Sequence, residues 1–328
     1  MKAIIFTRYG SPDVIQFKEV AQPPLEDERV LVKVYAASVN ALDWHSLSGV
    51  PFLVRLADGL RKPKDPRLGA DLAGRVEAIG SKVTQFQVGD EVFGRGWGTF
   101  AEYACPREST IVLKPSNISF EAAAAVPVAA LTALQALRDM GQIQPGQQVA
   151  IYGAGGGVGT FAVQIAKAFG AEVTAVCSTR NVEMVRSIGA DHVIDYTQTN
   201  FLKSGQRYDL ILAVNGYHPI LAYRRALTPN GRSVLVGASS HLMQALFQTM
   251  LLGPVISRVG KKKTGFFTMN LSQAGLVLIK EMLEAGKIVP VIDRRYPLSE
   301  TAEAIRYLEE GHARGKVVIT VDQNSTTA

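Results

Sequence analysis

The chain has 328 residues, 47% of them hydrophobic and 20% charged, with a net charge of +6 and a pI near 9.2. That length is too great for one ordinary core and points to two domains. The two cysteines, Cys105 and Cys177, lack a Cys-x-x-Cys spacing and argue against a disulfide framework or a thiolate metal cluster, while dispersed basic residues without a nucleic-acid-binding motif suit a small anion rather than nucleic acid.

From the N-terminus to about residue 120 the pattern is short strands between turn residues. The first eight residues are strand-like and too short an apolar run for a signal sequence. Residues 29–36 alternate with period two, 72–79 form a strand closed by Gly80-Ser81, and 89–94 turn into another. The style then changes. Alanines make 121–126 helical, 129–140 continue as helix, and Pro145-Gly146 turns the chain into a strand at 148–152.

Strands at 172–177, 192–194, 208–214 and 232–237 then alternate with helices at 182–188 and 222–227. This is the rhythm of βαβ units in an α/β, doubly wound parallel sheet. The tail reads as a segment at 263–269, an amphipathic helix at 271–285, a strand near Tyr296, a helix at 301–310 and a strand at 316–321, with 322–328 a frayed end. Residues 242–259 are the longest apolar stretch, but Gln244, Gln248, Gly253-Pro254 and Arg258 interrupt it, so no membrane span or membrane partner is expected. The expected location is the cytoplasm.

The strand at 148–152 stops at a glycine-rich turn, and apolar residues at helical spacing (Val158, Phe161, Ala162, Ile165) begin within it. Ala154, Gly156 and Gly159 satisfy a Gly-x-Gly-x-x-Gly spacing with alanine in first place, so the backbone can turn, approach a diphosphate and pack its helix closely. Ala154, Gly155, Gly156, Gly157, Val158 and Gly159 are the candidate cradle, where free N–H groups and the helix dipole favour an anion. After the next strand, a carboxylate would select NAD by binding its ribose hydroxyls. The sequence there is Ser178-Thr179-Arg180 without an acid, hydroxyls and a guanidinium suited to a 2′-phosphate, which predicts NADPH as cofactor.

The glycine loop with Ala162-Val163-Gln164-Ile165-Ala166-Lys167, the segment Gly189-Ala190-Asp191-His192-Val193-Ile194-Asp195-Tyr196, and the closing Gly311-His312-Ala313-Arg314-Gly315-Lys316 together resemble the zinc-independent, quinone oxidoreductase-like medium-chain dehydrogenase/reductases. The resemblance implies a GroES-like β-rich catalytic domain at 1–122 completed by 266–328, a Rossmann NADP-binding domain at 123–265, and a homodimer. It also implies hydride transfer from NADPH to a quinone or conjugated carbonyl. A zinc-free alcohol or aldehyde reductase and a non-catalytic NADPH-binding protein are the alternatives.

In the zinc-dependent members, Cys, His and Cys or Asp hold the catalytic ion. Here the first position is Asn40, the Gly-His-Glu motif reads Gly69-Ala70-Asp71, no cysteine lies at 128–132, and the structural-zinc cysteines are missing. No metal is expected, since zinc needs about three protein ligands. By resemblance Asn40 lies near the nicotinamide, and His45 replaces a Tyr or Lys and becomes a candidate proton donor. The residue pattern alone makes Asn40 and Asp43 a helix N-cap and its returning acid, and places Asp43 and His45 about 160° apart around a helix.

Thr132 resembles a threonine that approaches the cofactor, and Tyr196 a tyrosine beside the 2′-phosphate or adenine. Arg314 and Lys316 resemble tail cations near the cofactor, but read more simply as solvated charges. Lys261-Lys262-Lys263 reads as a solvated turn. Trp44, Phe52, Trp97 and Phe100 either line a pocket or belong to the core, and His192, His218, His241 and His312 read as structural.

Overall fold

A computed structural model describes residues 1–214, 218–237 and 261–322. His241, the apolar stretch 242–259 and the tail 323–328 lie outside the described residues. Contacts divide the chain into two compact units, Met1–Ala129 with Leu271–Ala285 and Pro290–Ala328, and Ala130–Asn270 with Gly286–Val289.

The first unit opens with the antiparallel pair β1 (Lys2–Ile5) and β2 (Gln16–Glu19). The long strand β3 (Val30–Val39) follows, then α1 (Ala41–Ser48), α2 (Leu53–Asp58), β4 (Asp71–Ile79), β5 (Glu91–Arg95), β6 (Tyr103–Ala104) and β7 (Ile111–Leu113). The period-two pattern decides the faces of β3: Val30, Val32 and Val34 enter the core with Leu72, Val76, Val92 and Phe100. Helix α3 (Phe120–Ala124) belongs here as well, since Phe120 stacks on Tyr35 of β3 with ring centroids 4.4 Å apart. The first unit therefore runs past residue 122.

Helix α4 (Pro127–Gln135) continues as a π-helical turn at Ala136–Met140 and leads into the second unit. Its strands are β8 (Gln148–Tyr152), β9 (Glu172–Cys177), β10 (His192–Asp195), β11 (Tyr208–Val214), β12 (Leu227–Val236) and β13 (Lys263–Phe267). They form one sheet in the order β10-β9-β8-β11-β12-β13 with every pairing parallel. Buried on both faces, the central strands β8, β9 and β11 are largely Val, Ile, Leu and Ala runs rather than alternating ones. The sheet grows outward in both directions from β8, so the turn after β8 lies at the topological switch point, where open α/β sheets bind ligands. Strand β13 pairs with β12, which keeps Lys263–Phe267 in this unit and moves the return of the chain beyond 266.

The tail supplies β14 (Ile292–Pro297) and β15 (Lys316–Thr320), which finish the first sheet in the order β14-β15-β3-β4-β5-β7, with β6 also paired to β3. Strand β15 runs antiparallel to β3 with Val317 opposite Val39, and β4 lies on the other side of β3 with Asp71 opposite Ser38. Three strands remote in sequence thus bring Lys316, Asn40 and Asp71 together.

Candidate functional site

The second unit carries the glycine turn, followed by α5 (Gly157–Ala168) with Gly156 as its N-cap. Gly153 has φ +78°, and a Cβ there would collide with the Val214 carbonyl. Gly159 packs onto the carbonyl of Gly153, leaving no room for a side chain. The tight turn is therefore made by Gly153, not by Ala154, whose side chain is buried. Gly156 differs: a Cβ there would meet only the Gly153 oxygen, at 3.6 Å. Gly156, Gly157 and Val158 are half-buried at the start of α5, where the first N–H groups of a helix lack intrahelical partners. Gly155 faces Asn181, whose Nδ2 would lie 2.5 Å from an added Cβ and whose Oδ1 is buried without a partner among the described residues. The open cradle at a helix N-terminus fits the phosphates of a cofactor, and the orphaned Asn181 oxygen, an acceptor, suits a hydroxyl donor of that cofactor.

The parallel pairing of β9 and β10 brings Tyr196 next to this turn, its N–H donating to the Cys177 carbonyl at 3.0 Å. Tyr196 is half exposed and stacks on Tyr152, centroids 5.9 Å apart. The acid missing from Ser178-Thr179-Arg180 arrives from β10. Asp195 accepts the Thr179 hydroxyl at 2.6 Å, the Thr197 hydroxyl at 2.7 Å and the Thr197 N–H at 2.9 Å. The Thr179 hydroxyl, followed by those of Thr197, holds the Asp195 carboxyl below the usual range, so it is charged at neutral pH. Thr179 is occupied, whereas the Ser178 hydroxyl accepts from Asn181 Nδ2 at 3.2 Å and keeps its own proton to donate. Arg180 is exposed. The Cys177 thiol before this turn is 1% exposed and pushed up to about 11 by burial, and Cys105 is also buried and raised.

Asn40, the residue before α1, belongs to a buried polar network in the first unit. Its Nδ2 donates to the Asp71 carboxylate at 2.9 Å and to the Ser38 carbonyl at 3.2 Å, and its Oδ1 accepts from Lys316 Nζ at 2.6 Å. Lys316 also donates to the Val39 carbonyl at 3.0 Å and lies 3.7 Å from Asp71. Asp71 accepts in addition from the Ser38 hydroxyl and from the Val128 N–H, both at 2.9 Å. The Asn40 N–H donates to Asp43 at 2.7 Å, so Asp43 is the returning acid of the cap. Asp43 Oδ1 and Arg95 Nε are buried without partners among the described residues.

Burial pushes the Asp43 carboxyl up to about 7; the Asn40 N–H, Lys316 and Arg95 pull it back down, and Asp71 adds to the rise. Burial also lowers the Lys316 ammonium, which Asp71 and Asp43 support. Lys316 is 3% exposed, which overturns its reading as a solvated charge; Arg314 is exposed as expected.

His45 stands apart from this network. Its Nδ1 is 2.6 Å from the Val50 carbonyl, and its ring is edge-on to Trp44. An imidazole facing a carbonyl must donate, which fixes the proton on Nδ1 and leaves Nε2 as the free nitrogen of the neutral ring. Thr132 is buried on α4. Phe100 is core and Trp44 packs against that core, whereas Phe52 is 62% exposed, so these aromatics do not form one lining. Sequence reasoning missed Asn181 and Asp195 as site members, met Asp71 only as a lost metal position, and weighed Lys316 as a cation near the cofactor but preferred a solvated charge. The one local signal was Asp195, two residues from Thr197 and next to Tyr196 in a segment already singled out.

Two family models match the chain, an alcohol dehydrogenase GroES-like domain over residues 26–116 and a zinc-binding dehydrogenase over 188–319. A mitochondrial NAD(P)H oxidoreductase of Bos taurus, RTN4IP1, is 35% identical over 98% of this chain and 89% of its own length. The solved quinone oxidoreductase of Coxiella burnetii superposes with a TM-score of 0.86 at 29% identity, covering 98% of this chain and 99% of that one. The chain belongs to the quinone oxidoreductase-like medium-chain dehydrogenase/reductases. Another relative in this family, the chloroplastic NADPH-dependent alkenal/one oxidoreductase of Arabidopsis thaliana, is 31% identical over 97% of this chain and 79% of its own length.

One matched family description names zinc, and the residues at the corresponding positions do not fit a dication. Asn40 offers an amide whose oxygen already accepts from an ammonium, Ala70 is apolar, and Asp71 is paired with Lys316. Among the described residues no three His, Cys, Asp or Glu side chains stand together to hold an ion, and no helix is long and apolar enough to cross a membrane.

Proposed function

We propose that the protein transfers hydride from NADPH to a quinone or an α,β-unsaturated carbonyl without a metal. The observation that carries this reading is the open Gly156 cradle at the N-terminus of α5, between two glycines whose places admit no side chain. The names of the bovine, Coxiella and Arabidopsis relatives support the same chemistry.

When bound, the reduced nicotinamide supplies the hydride. The protein's work is to bind and orient. Gly153 and Gly159 hold the turn, and the N–H groups of Gly157 and Val158 would hold the diphosphate. Ser178, Arg180 and Tyr196 would take the 2′-phosphate, and Thr132 another part of the cofactor. The Asp195 charge would oppose the phosphate and limit the preference for NADPH over NADH. Asn40 spends both Nδ2 hydrogens inside the network, so its contribution is to fix the start of α1. The proton reaches the product oxyanion from His45 Nε2, after protonation, or from water. The reading includes a homodimer and a cytoplasmic location; the bovine and Arabidopsis relatives are named mitochondrial and chloroplastic, and fractionation of the tagged full chain separates these compartments.

The test is a fluorescence titration with NADPH and NADH followed by turnover with a panel of quinones, enones and saturated aldehydes. Quinone or enone turnover with NADPH is expected. Tight binding without turnover of any acceptor overturns the enzymatic reading, and turnover confined to saturated aldehydes overturns the acceptor class. Replacing His45 by Phe with an unchanged rate assigns the proton to water.

A further inference from the structure

The buried charge at the head of α1 has a composition that folding alone does not require. Asp43 and Asp71 are 0% exposed and Lys316 3%, and a buried ion costs several kcal/mol unless its partners are well placed. Lys316 directs its ammonium inward, with the Asn40 oxygen at 2.6 Å, the Val39 carbonyl at 3.0 Å and Asp71 at 3.7 Å. Two of its three donors are spent in hydrogen bonds to oxygen, and Asp71 is held as an ion pair at longer range. Asn40 is held from both ends, its oxygen by Lys316 and its nitrogen by Asp71. An amide in that position has one orientation only, because exchanging oxygen and nitrogen would set NH₂ against an ammonium and oxygen against a carboxylate.

We propose that Lys316 is the positioning residue of the Asn40 site, an internal cation that orients the Asn40 carboxamide and balances Asp71 and Asp43, so that α1 and its His45 are presented in one geometry. The inference rests on the proposed reductase reading for its kinetic part and on the first unit alone for its electrostatic part. The register supports it. Val317 opposite Val39 sets Lys316 beside the end of β3, where its ammonium meets the Asn40 oxygen, and the left-handed Gly315 before it, whose added Cβ would strike the Val291 carbonyl, stands where β15 begins.

The charges that face Asp43 come from three strands: Asp71 on β4, Arg95 on β5 and Lys316 on β15. Removing Lys316 leaves two carboxylates against one guanidinium, a deficit that disappears when Asp43 takes a proton.

The experiment compares wild type, Lys316→Met, Lys316→Arg and Lys316→Met/Asp43→Asn, each as the full chain. Thermal unfolding is followed from pH 5.5 to 8.5, and kcat and KM are measured with the best quinone or enone of the panel. Lys316→Met is expected to lower the unfolding midpoint by several degrees at pH 8.5 and by much less at pH 5.5. The double variant is expected to recover most of the midpoint at pH 8.5 while kcat stays at least tenfold down and KM changes little. Lys316→Arg keeps the charge but not the fit, and falls between. A Lys316→Met midpoint equal to wild type across the range overturns the electrostatic part. Full recovery of kcat in the double variant overturns the positioning part and leaves Lys316 a counter-charge. If wild type reduces no acceptor, the reductase reading fails by itself, and the pH profile still decides the charge assignment.

Discussion

The glycine turn of the second unit and the Asn40 network of the first are built on opposite principles. The turn works by what its residues lack: Gly153 and Gly159 leave room for carbonyls, Gly156 leaves room for a ligand, and the binding groups are backbone N–H donors that every sequence possesses. The network works by what its residues carry, two carboxylates, an ammonium and an amide that are tolerable in the interior only as a set. A turn of the first kind fails one atom at a time. A network of the second kind fails as a unit.

The largest effect should therefore come from breaking the set. Asp71→Ala leaves the Lys316 ammonium buried without its closest carboxylate and should lower the unfolding free energy by about 3–5 kcal/mol in a denaturant titration. A loss under about 1 kcal/mol would mean that water reaches the ammonium.

The Asp43 carboxyl comes next. Its folded value near 7 lies above the ordinary 3.8, so the folded chain holds a proton that the unfolded chain has lost, and stability falls as pH rises from about 4 through 7. Asp43→Asn should flatten that slope, a difference on the order of 3 kcal/mol across the window. Unfolding curves for both proteins at pH 4.5, 6 and 8 measure it, and parallel curves would place the carboxyl at its usual value.

Gly153→Ala strains a left-handed position and drives a methyl into the Val214 carbonyl, for a cost of about 2 kcal/mol. Gly156→Ala should stay within about 1 kcal/mol of wild type in stability and still weaken NADPH binding at least tenfold. That split between stability and binding is the signature of a space kept for a ligand. If both properties move together at Gly156, the cradle is ordinary packing.

The smallest effects concern cofactor choice. Arg180→Ala should weaken NADPH several-fold more than NADH, and Asp195→Asn should strengthen NADPH several-fold and leave NADH nearly unchanged, each worth about 1 kcal/mol at an exposed site. Equal changes for the two cofactors would remove both side chains from the 2′-phosphate.

The same contrast explains what could be read from the sequence. The parallel sheet was legible because β8, β9 and β11 are uninterrupted apolar runs punctuated by glycine, and the cradle because its residues are contiguous. Even there, the positive φ falls on Gly153, one residue ahead of the spaced pattern, where the Val214 carbonyl leaves no room for a Cβ. Asp195 and Thr179 were both visible, yet their meeting depends on how β10 pairs with β9. Lys316 lies 276 residues from Asn40, and among 35 Lys and Arg residues nothing local marks it as buried; only the antiparallel register of β15 on β3 does. Helix α3 and strand β13 shifted the unit boundaries for a similar reason, a ring stacked on Tyr35 and an edge pairing with β12.

Quinones and enones are soft electrophiles, and a reductase that turns them over risks alkylating itself. Sulfur nucleophilicity requires both access and thiolate. Cys105 is 8% exposed and Cys177 1%, and burial pushes the Cys177 thiol up to about 11. At neutral pH the Cys177 thiol therefore stays protonated. With two cysteines in the whole chain and both buried with raised thiols, neither presents a ready thiolate to an electrophilic acceptor.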